Sequence, residues 1–267
     1  MAVVRRQLGL RSVGHTGTLD PFATGLLIVL VGRATRLARF LADQAKTYEA
    51  TVRFGVATST DDGTGEVVRA VHPTAWPEYH VMQAAAREFV GQHLQRPPAF
   101  SAKHVAGARS HALARAGRSV ELSPVAITVY QLQLGEWRPP DLRLEATVGS
   151  GTYLRALARD LGERLDLPAH CAVLRRTRIG AFAAADAVHP EAADAGRLRT
   201  PGELLGHLPV RELSAAEQLD VAFGRDIGRD AGEAELASLV GTDGHLVAVA
   251  EARDDHWHPM VVLEPAA

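Results

Sequence analysis

Between Arg11 and Leu27 the chain reads RSVGHTGTLDPFATGLL. Its middle, Gly14 to Pro21, gathers two glycines, two threonines, the imidazole of His15 and the carboxylate of Asp20 into eight residues, and an apolar run follows. Asp20 precedes a proline, whose ring disfavours helical backbone at the aspartate and pushes it toward an extended conformation. Gly14 and Gly17 permit dihedrals or close approaches that a side chain forbids. A carboxylate on so stiff a turn, at the edge of a strand, is well mounted for chemistry. An ordinary turn, with Asp20 bonding nearby amides, fits the same residues. A phosphate-binding loop does not, because neither the Walker nor the Rossmann glycine spacing is present.

The elements that must hold this stretch can be read from periodicity. Leu26–Val31 reads as a buried strand between Gly25 and Gly32, and Ala34–Leu41 as a short helix. From Lys46 to Gly55 the chain alternates, with Tyr48, Ala50, Val52 and Phe54 on one face and Thr47, Glu49, Thr51 and Arg53 on the other. Residues 58–66 form a turn, 80–94 a helix, and Asp141–Gly149 a second alternating strand. The run GTYLRALARDLGERLDLP is an amphipathic helix with Leu154, Leu157, Ala158, Leu161 and Leu165 on its apolar stripe, stopped by Pro168. Arg155 and Arg159 sit four apart on its opposite face. Residues 180–201 read as an alanine-rich connection, and three short strands follow after residue 206. Strands and helices interleave without a βαβ rhythm, so an α+β fold with a mixed, mostly antiparallel sheet is expected, followed by a small all-β appendage.

Bulk properties narrow the function. The 267 residues suit one large domain with an appendage, and no apolar run reaches the roughly 20 residues of a membrane helix. The lone Cys171 rules out an intrachain disulfide and fits a reducing, cytoplasmic setting. No metal-ligand spacing is present among the scattered histidines. Charge is uneven. Residues 201–267 carry thirteen Asp or Glu against four Lys or Arg, a net of −9, which leaves +7 on the first 200 residues of a chain whose total is −2. Arg87, Arg96, Lys103, Arg109, Arg115 and Arg118 are opposed only by Glu88 between residues 87 and 118, which makes a candidate phosphate-contacting surface or a solvated helical face.

GHTGTLDPFATGLL closely resembles the catalytic motif of the bacterial tRNA pseudouridine-55 synthases, the TruB family. KTYEATVRFGVATSTDDGTGE, RPPAFSAKHVAGARSHALARAG, GTYLRALARDLG and LRRTRIGAF agree with the same family in order and spacing, so that residues 3–182 are covered firmly and the appendage loosely. The resemblance implies a pseudouridine-synthase catalytic domain over 1–205, with a basic tRNA-clamping insertion at about 96–125, and a PUA-like domain over 206–267. It implies a cofactor-free isomerisation in which the N-glycosidic bond of the T-loop uridine is broken, the uracil turns over and its C5 is rejoined to the sugar. Asp20 falls on the family's catalytic aspartate, as nucleophile or as base. Arg155 matches the arginine that keeps it ionised and aimed, and Tyr48 the aromatic residue stacked on the base. His15, Gly17, Asp62, Lys103, Arg109, Arg115 and Leu174 fall on substrate-binding positions. No cofactor and no metal are implied. The partner is tRNA, met by a monomer without guide RNA, since the long insertion supplies a clamp of its own.

The sequence also departs from the family. Ser59 and Gly63-Thr64 stand where more acidic residues are usual, and His111 where a tyrosine is common. AVVRRQLGL resembles the family's first helix, and the strand that precedes that helix, with its Lys-Pro and Gly pattern, has no counterpart. The expectation from this is a fragment or misassigned start, of marginal stability and little activity. The alternative function is accordingly a catalytically impaired tRNA-binding or tRNA-folding module. Retention of Asp20, Tyr48 and Arg155 favours the enzyme. Neutralising Arg109, Arg115 and Arg118 together should weaken tRNA binding and flatten its salt dependence by about one slope unit per lost phosphate contact. Binding isotherms at several salt concentrations measure this, and an unchanged slope would remove the clamp.

Overall fold

The computed structural model describes residues 1–100, 122–230, 232 and 234–264, together with the backbone of 104–105 and 108–109. Two compact units interleave along the chain. One comprises Met1–Gly17, Leu27–Ala42 and Val188–Ala267, the other Thr18–Leu26 and Asp43–Ala187.

The second unit is built on one sheet. Its strands run in the order Phe182–Ala183, Ala169–Ile179, Lys46–Phe54, Asp141–Val148, Val125–Arg138 and Gly91–Gln95, all antiparallel to their neighbours, and the short Thr24–Gly25 strand lies parallel to 169–179. The sheet is therefore mixed and mostly antiparallel, as the interleaved pattern implied. Alternation along 46–54 explains its position. Ala50, Val52 and Phe54 are buried, and Ala50 stands between Leu144 and Leu174 in the register. Two helices cover this face. Tyr79–Arg87 buries Met82, Ala85 and Ala86, and Leu154–Arg164 buries Leu154, Leu157, Ala158 and Leu161, the expected stripe. Each large side chain so buried stabilises the unit by roughly 1.5–3 kcal/mol.

The helix expected over 80–94 ends at Arg87. Gly91, with φ 110°, turns the chain, and 91–95 becomes the edge strand, hydrogen-bonded to 125–129. Two strands carried no clear periodic mark. Val125–Arg138 follows the basic stretch directly, and Ala169–Ile179 is crowded with arginines.

In the first unit Val13–Thr16 pairs antiparallel with Ile28–Val31, which is shorter than the apolar run suggested because Leu26 belongs to the other unit. The segment Gly32–Leu41 is a 3-10 helix that buries Leu37 and Leu41. Arg33 and Arg36 donate to the carbonyls of Leu263 and Val262 at 2.8 and 2.7 Å, so this run is tied to the end of the chain. The C-terminal residues form a five-stranded sheet in the order 210–212, 236–240, 246–253, 256–262 and 227–228. The appendage is not all-β: Ala215–Ala222 is helical. Ser214 and Glu217 form a capping box at its start, and Val221 anchors it in the core, a local signal strong enough to nucleate a helix beside strands.

One close approach fixes the segment that carries Asp20. Gly25 has φ 100°, and a Cβ there would lie 2.2 Å from the carbonyl oxygen of Arg176. The Leu26 N–H donates to that same oxygen at 2.8 Å, and Arg176 Nε returns a hydrogen bond to the Leu26 carbonyl at 2.8 Å. Gly25→Ala should therefore destabilise the protein by at least about 2 kcal/mol. A lowered urea midpoint at constant m-value checks this, whereas an unchanged midpoint would mean that the segment can withdraw from the strand.

Candidate active site

The turn around Asp20 forms as its sequence requires. The Ala23 N–H donates to the Asp20 carbonyl at 2.9 Å, closing a four-residue turn with Pro21 at its second position, where a fixed φ is favourable. The turn leads into the Gly25 contact, so the carboxylate is fixed on both sides: by the proline, and by the strand Ala169–Ile179.

Facing it is the first turn of the helix Leu154–Arg164, where Leu154, Arg155, Ala156, Leu157 and Ala158 are all buried. The Tyr153 N–H, at the helix start, donates to Gln95 Oε1 at 2.9 Å, and Gln95 Nε2 donates to the Tyr153 carbonyl at 3.2 Å. Gln95 is itself buried, so this amide pins the helix start to the edge strand. Arg155 lies opposite the helix's apolar stripe, as its spacing implied, and yet it is buried. Its side chain is only 4% exposed and makes four hydrogen bonds and a further ion pair. Nε donates to Asp20 Oδ2 at 2.9 Å, and Nη2 to Asp20 Oδ1 at 2.8 Å and to the Phe100 carbonyl at 3.0 Å. Nη1 donates to the Thr60 carbonyl at 2.9 Å and lies 3.5 Å from Asp62 Oδ2. The grip on Asp20 is bidentate, the geometry that a planar guanidinium provides and an ammonium does not.

Asp62, the second carboxylate beside Arg155, is buried within the turn. Its Oδ1 accepts from Thr60 Oγ1 at 2.7 Å, from the Thr64 N–H at 2.9 Å and from Thr64 Oγ1 at 2.6 Å. Thr58 Oγ1 donates to its carbonyl at 2.6 Å. Thr64 is thus a double donor to Asp62 Oδ1. Asp20 is less enclosed, with 29% of its side chain exposed. It opens into a cleft lined by Leu19, Tyr48, Thr152, Tyr153 and Leu174, among others. Burial raises the pKa of the Tyr48 phenol, with the nearby Asp20 charge adding to the rise and a hydrogen bond from Arg176 opposing it. The phenol is therefore neutral at physiological pH and presents a ring to the cleft. Beneath, Cys171 is fully buried, and burial above all pushes its thiol up to about 12, so it is no nucleophile.

Of the residues chosen from the sequence, Asp20, Arg155, Tyr48, Asp62 and Leu174 come together in the second unit. His15, exposed on the strand 13–16, and Gly17, with φ 65°, belong to the first unit. Lys103 and Arg115 lie outside the described residues, and Arg109 is described only as backbone paired with His104. Sequence reasoning missed Arg176, Arg159, Asp61 and the carbonyls of Thr60 and Phe100. Two of these left a signal: Arg159 shares the helix face of Arg155, and Arg176, 1% exposed, shares the strand face of the apolar Leu174, an inward place for a cation. Among the described residues no group of three or more His, Cys, Asp or Glu is arranged to hold a metal ion, and no helix is long and apolar enough to cross a membrane.

A mostly antiparallel sheet thus carries an aspartate held beside an aromatic-lined cleft by a buried arginine. Solved structures agree on the fold. A chain in the "Structure of H/ACA RNP bound to a substrate RNA containing 2'-deoxyuridine" matches with a TM-score of 0.74 at 20% identity, over 99% of this chain and 80% of that one. One in the "Crystal Structure of a Cbf5-Nop10-Gar1 Complex" matches with the same TM-score at 21% identity, over the same shares of the two chains. In sequence, residues 5–154 match "TruB family pseudouridylate synthase (N terminal domain)". The tRNA pseudouridine synthase B of Thermobifida fusca (strain YX) is 39% identical over 98% of this chain and 92% of its own length. That of Synechococcus sp. (strain WH7803) is 42% identical over 91% and 85%. The chain belongs to the TruB family.

Proposed function

We propose that the protein is a tRNA pseudouridine synthase that isomerises the T-loop uridine at position 55. The observation that carries this reading is the bidentate Arg155–Asp20 pair opening into the cleft beside Tyr48. The reaction is an isomerisation within one nucleoside. The bond from sugar C1′ to uracil N1 breaks, the base turns, and C1′ bonds to C5, while C5 loses a proton and N1 gains one. No oxidant, reductant or cofactor enters the balance. Asp20 acts as an anion, as nucleophile at the sugar or as base. Arg155 aims it and balances its charge through two side-by-side charge-assisted hydrogen bonds. Tyr48 supplies a stacking face and Leu174 an apolar wall for the extruded uracil, offsetting the few kcal/mol of unstacking. Asp62 orients Arg155 from behind.

His15, Gly17, Lys103, Arg109 and Arg115 complete the RNA contacts in this reading. The insertion at about 96–125 clamps the T-arm, so that a monomer acts without guide RNA. The sheet-containing C-terminal segment serves as a PUA-like domain, and the working compartment is the cytoplasm. The impaired-module alternative is not favoured: relatives aligned over most of this chain are named as synthases, and Asp20, Tyr48 and Arg155 are all in place. Asp20→Asn keeps the shape of the side chain and removes its charge. It should abolish isomerisation of an unmodified tRNA transcript while tRNA affinity changes little, as read by carbodiimide-blocked primer extension beside a binding isotherm. Turnover within about tenfold of wild type would remove Asp20 from the chemistry.

A further inference from the structure

Arg159 follows Arg155 by one helical turn and faces the same way. Its side chain is 21% exposed, and it grips the same two segments of chain. Nη1 donates to Asp61 Oδ2 at 2.8 Å, and Nη2 to the Arg96 carbonyl at 2.8 Å. Nε and Nη2 are steadied by Asp160 Oδ1 at 2.9 and 2.7 Å. One turn earlier, Arg155 takes the carbonyls of Thr60 and Phe100. The 58–66 turn and the 96–100 segment are thus each held at two points, once by each arginine. Asp61 itself sits in left-handed backbone, φ 58°, an unfavourable conformation for a residue with a Cβ that persists where its surroundings fix it. Its carbonyl accepts from the Cys171 N–H at 3.0 Å, and its carboxylate, 16% exposed, points at Arg159. Burial raises the pKa of that carboxyl and the Arg159 charge opposes the rise, so neither group is as well solvated as a surface ion pair.

We infer that Arg159 and Asp61 form a positioning pair for the reaction: they set the places of Thr60, Asp62 and Phe100, which in turn aim Arg155 at Asp20. The inference rests on Asp20 being the acting carboxylate. The pair joins the helix of Arg155 to the residue between the two turn groups that Arg155 touches. It acts through geometry alone, since Arg159 makes no contact with Asp20.

The test uses the full chain and an unmodified tRNA transcript, with single-turnover rates at saturating protein normalised to the folded fraction. Asp61→Asn keeps the size of the side chain and loses the charge. Arg159→Lys keeps the charge and loses the fork that reaches Asp61, Asp160 and Arg96 together. Both should slow turnover about ten- to a hundredfold, the cost of a small misplacement of reacting groups, while tRNA dissociation constants stay within about threefold of wild type. Wild-type rates in both, or losses that only follow melting temperature and tRNA affinity, would overturn the positioning role. Should Arg159→Lys fail to fold, Asp61→Asn decides by the same criteria. Asp20→Asn is assayed alongside. If it is inactive and the pair is silent, only the present inference fails, whereas an active Asp20→Asn would remove the reading beneath it.

Discussion

Taking a guanidinium out of water costs several kcal/mol unless its donors are met and its charge is balanced. Arg155 meets that requirement with four hydrogen bonds, two to Asp20 and two to main-chain carbonyls, and with the Asp62 carboxylate 3.5 Å away as a second counter-charge. The acceptors come from three separate stretches of chain: the turn at Asp20, the turn at 58–66 and the segment that follows the edge strand, at Phe100. Each must be in place for the cation to remain buried, so the arginine gathers the site and the site holds the arginine. The two carboxylates differ in exposure. Asp62 is enclosed and held at Oδ1 by threonine donors, while Asp20 keeps an exposed flank toward the cleft.

The scaffold explains how such a cluster stays aimed. Asp20 is tied to the strand 169–179 through the Gly25 approach and the reciprocal Leu26–Arg176 hydrogen bonds. Tyr48 lies on the adjacent strand, with Arg176 opposite it in the register. The helix of Arg155 packs its Leu154, Leu157 and Leu161 on the same sheet, and the Gln95 amide fastens its first residue to the edge strand. Acid, cation and aromatic ring therefore all refer to one rigid surface, the condition for a preorganised electrostatic site.

Much of this was legible in the sequence, for physical reasons that differ by residue. Strict alternation over 46–54 placed Tyr48 on the inner face, because a half-buried strand must segregate its side chains by face. The stripe at 154, 157, 158 and 161 announced its helix for the same reason at a different period. Burial of Arg155 was not legible from the pattern: an arginine near a helix start reads as solvated until its tertiary acceptors are known, and two of these are carbonyls, which every residue carries. The strand 169–179 was hidden by its arginines, one of which points inward. Val90 and the residues before it continued a helical reading past Arg87, and Gly91 with its positive φ overrode it. The helix at 215–222 was announced by Ser214 and Glu217 at capping-box spacing, a local signal that the neighbouring strands obscured.

The central claim is that the forked geometry of Arg155, and not its charge alone, activates Asp20. Arg155→Lys tests it most directly, because lysine retains the cation and cannot donate side by side to both carboxylate oxygens. Single-turnover rates on a tRNA transcript, normalised to folded protein, should fall by about two orders of magnitude while tRNA affinity is kept. A lysine variant that turns over at the wild-type rate would contradict the account.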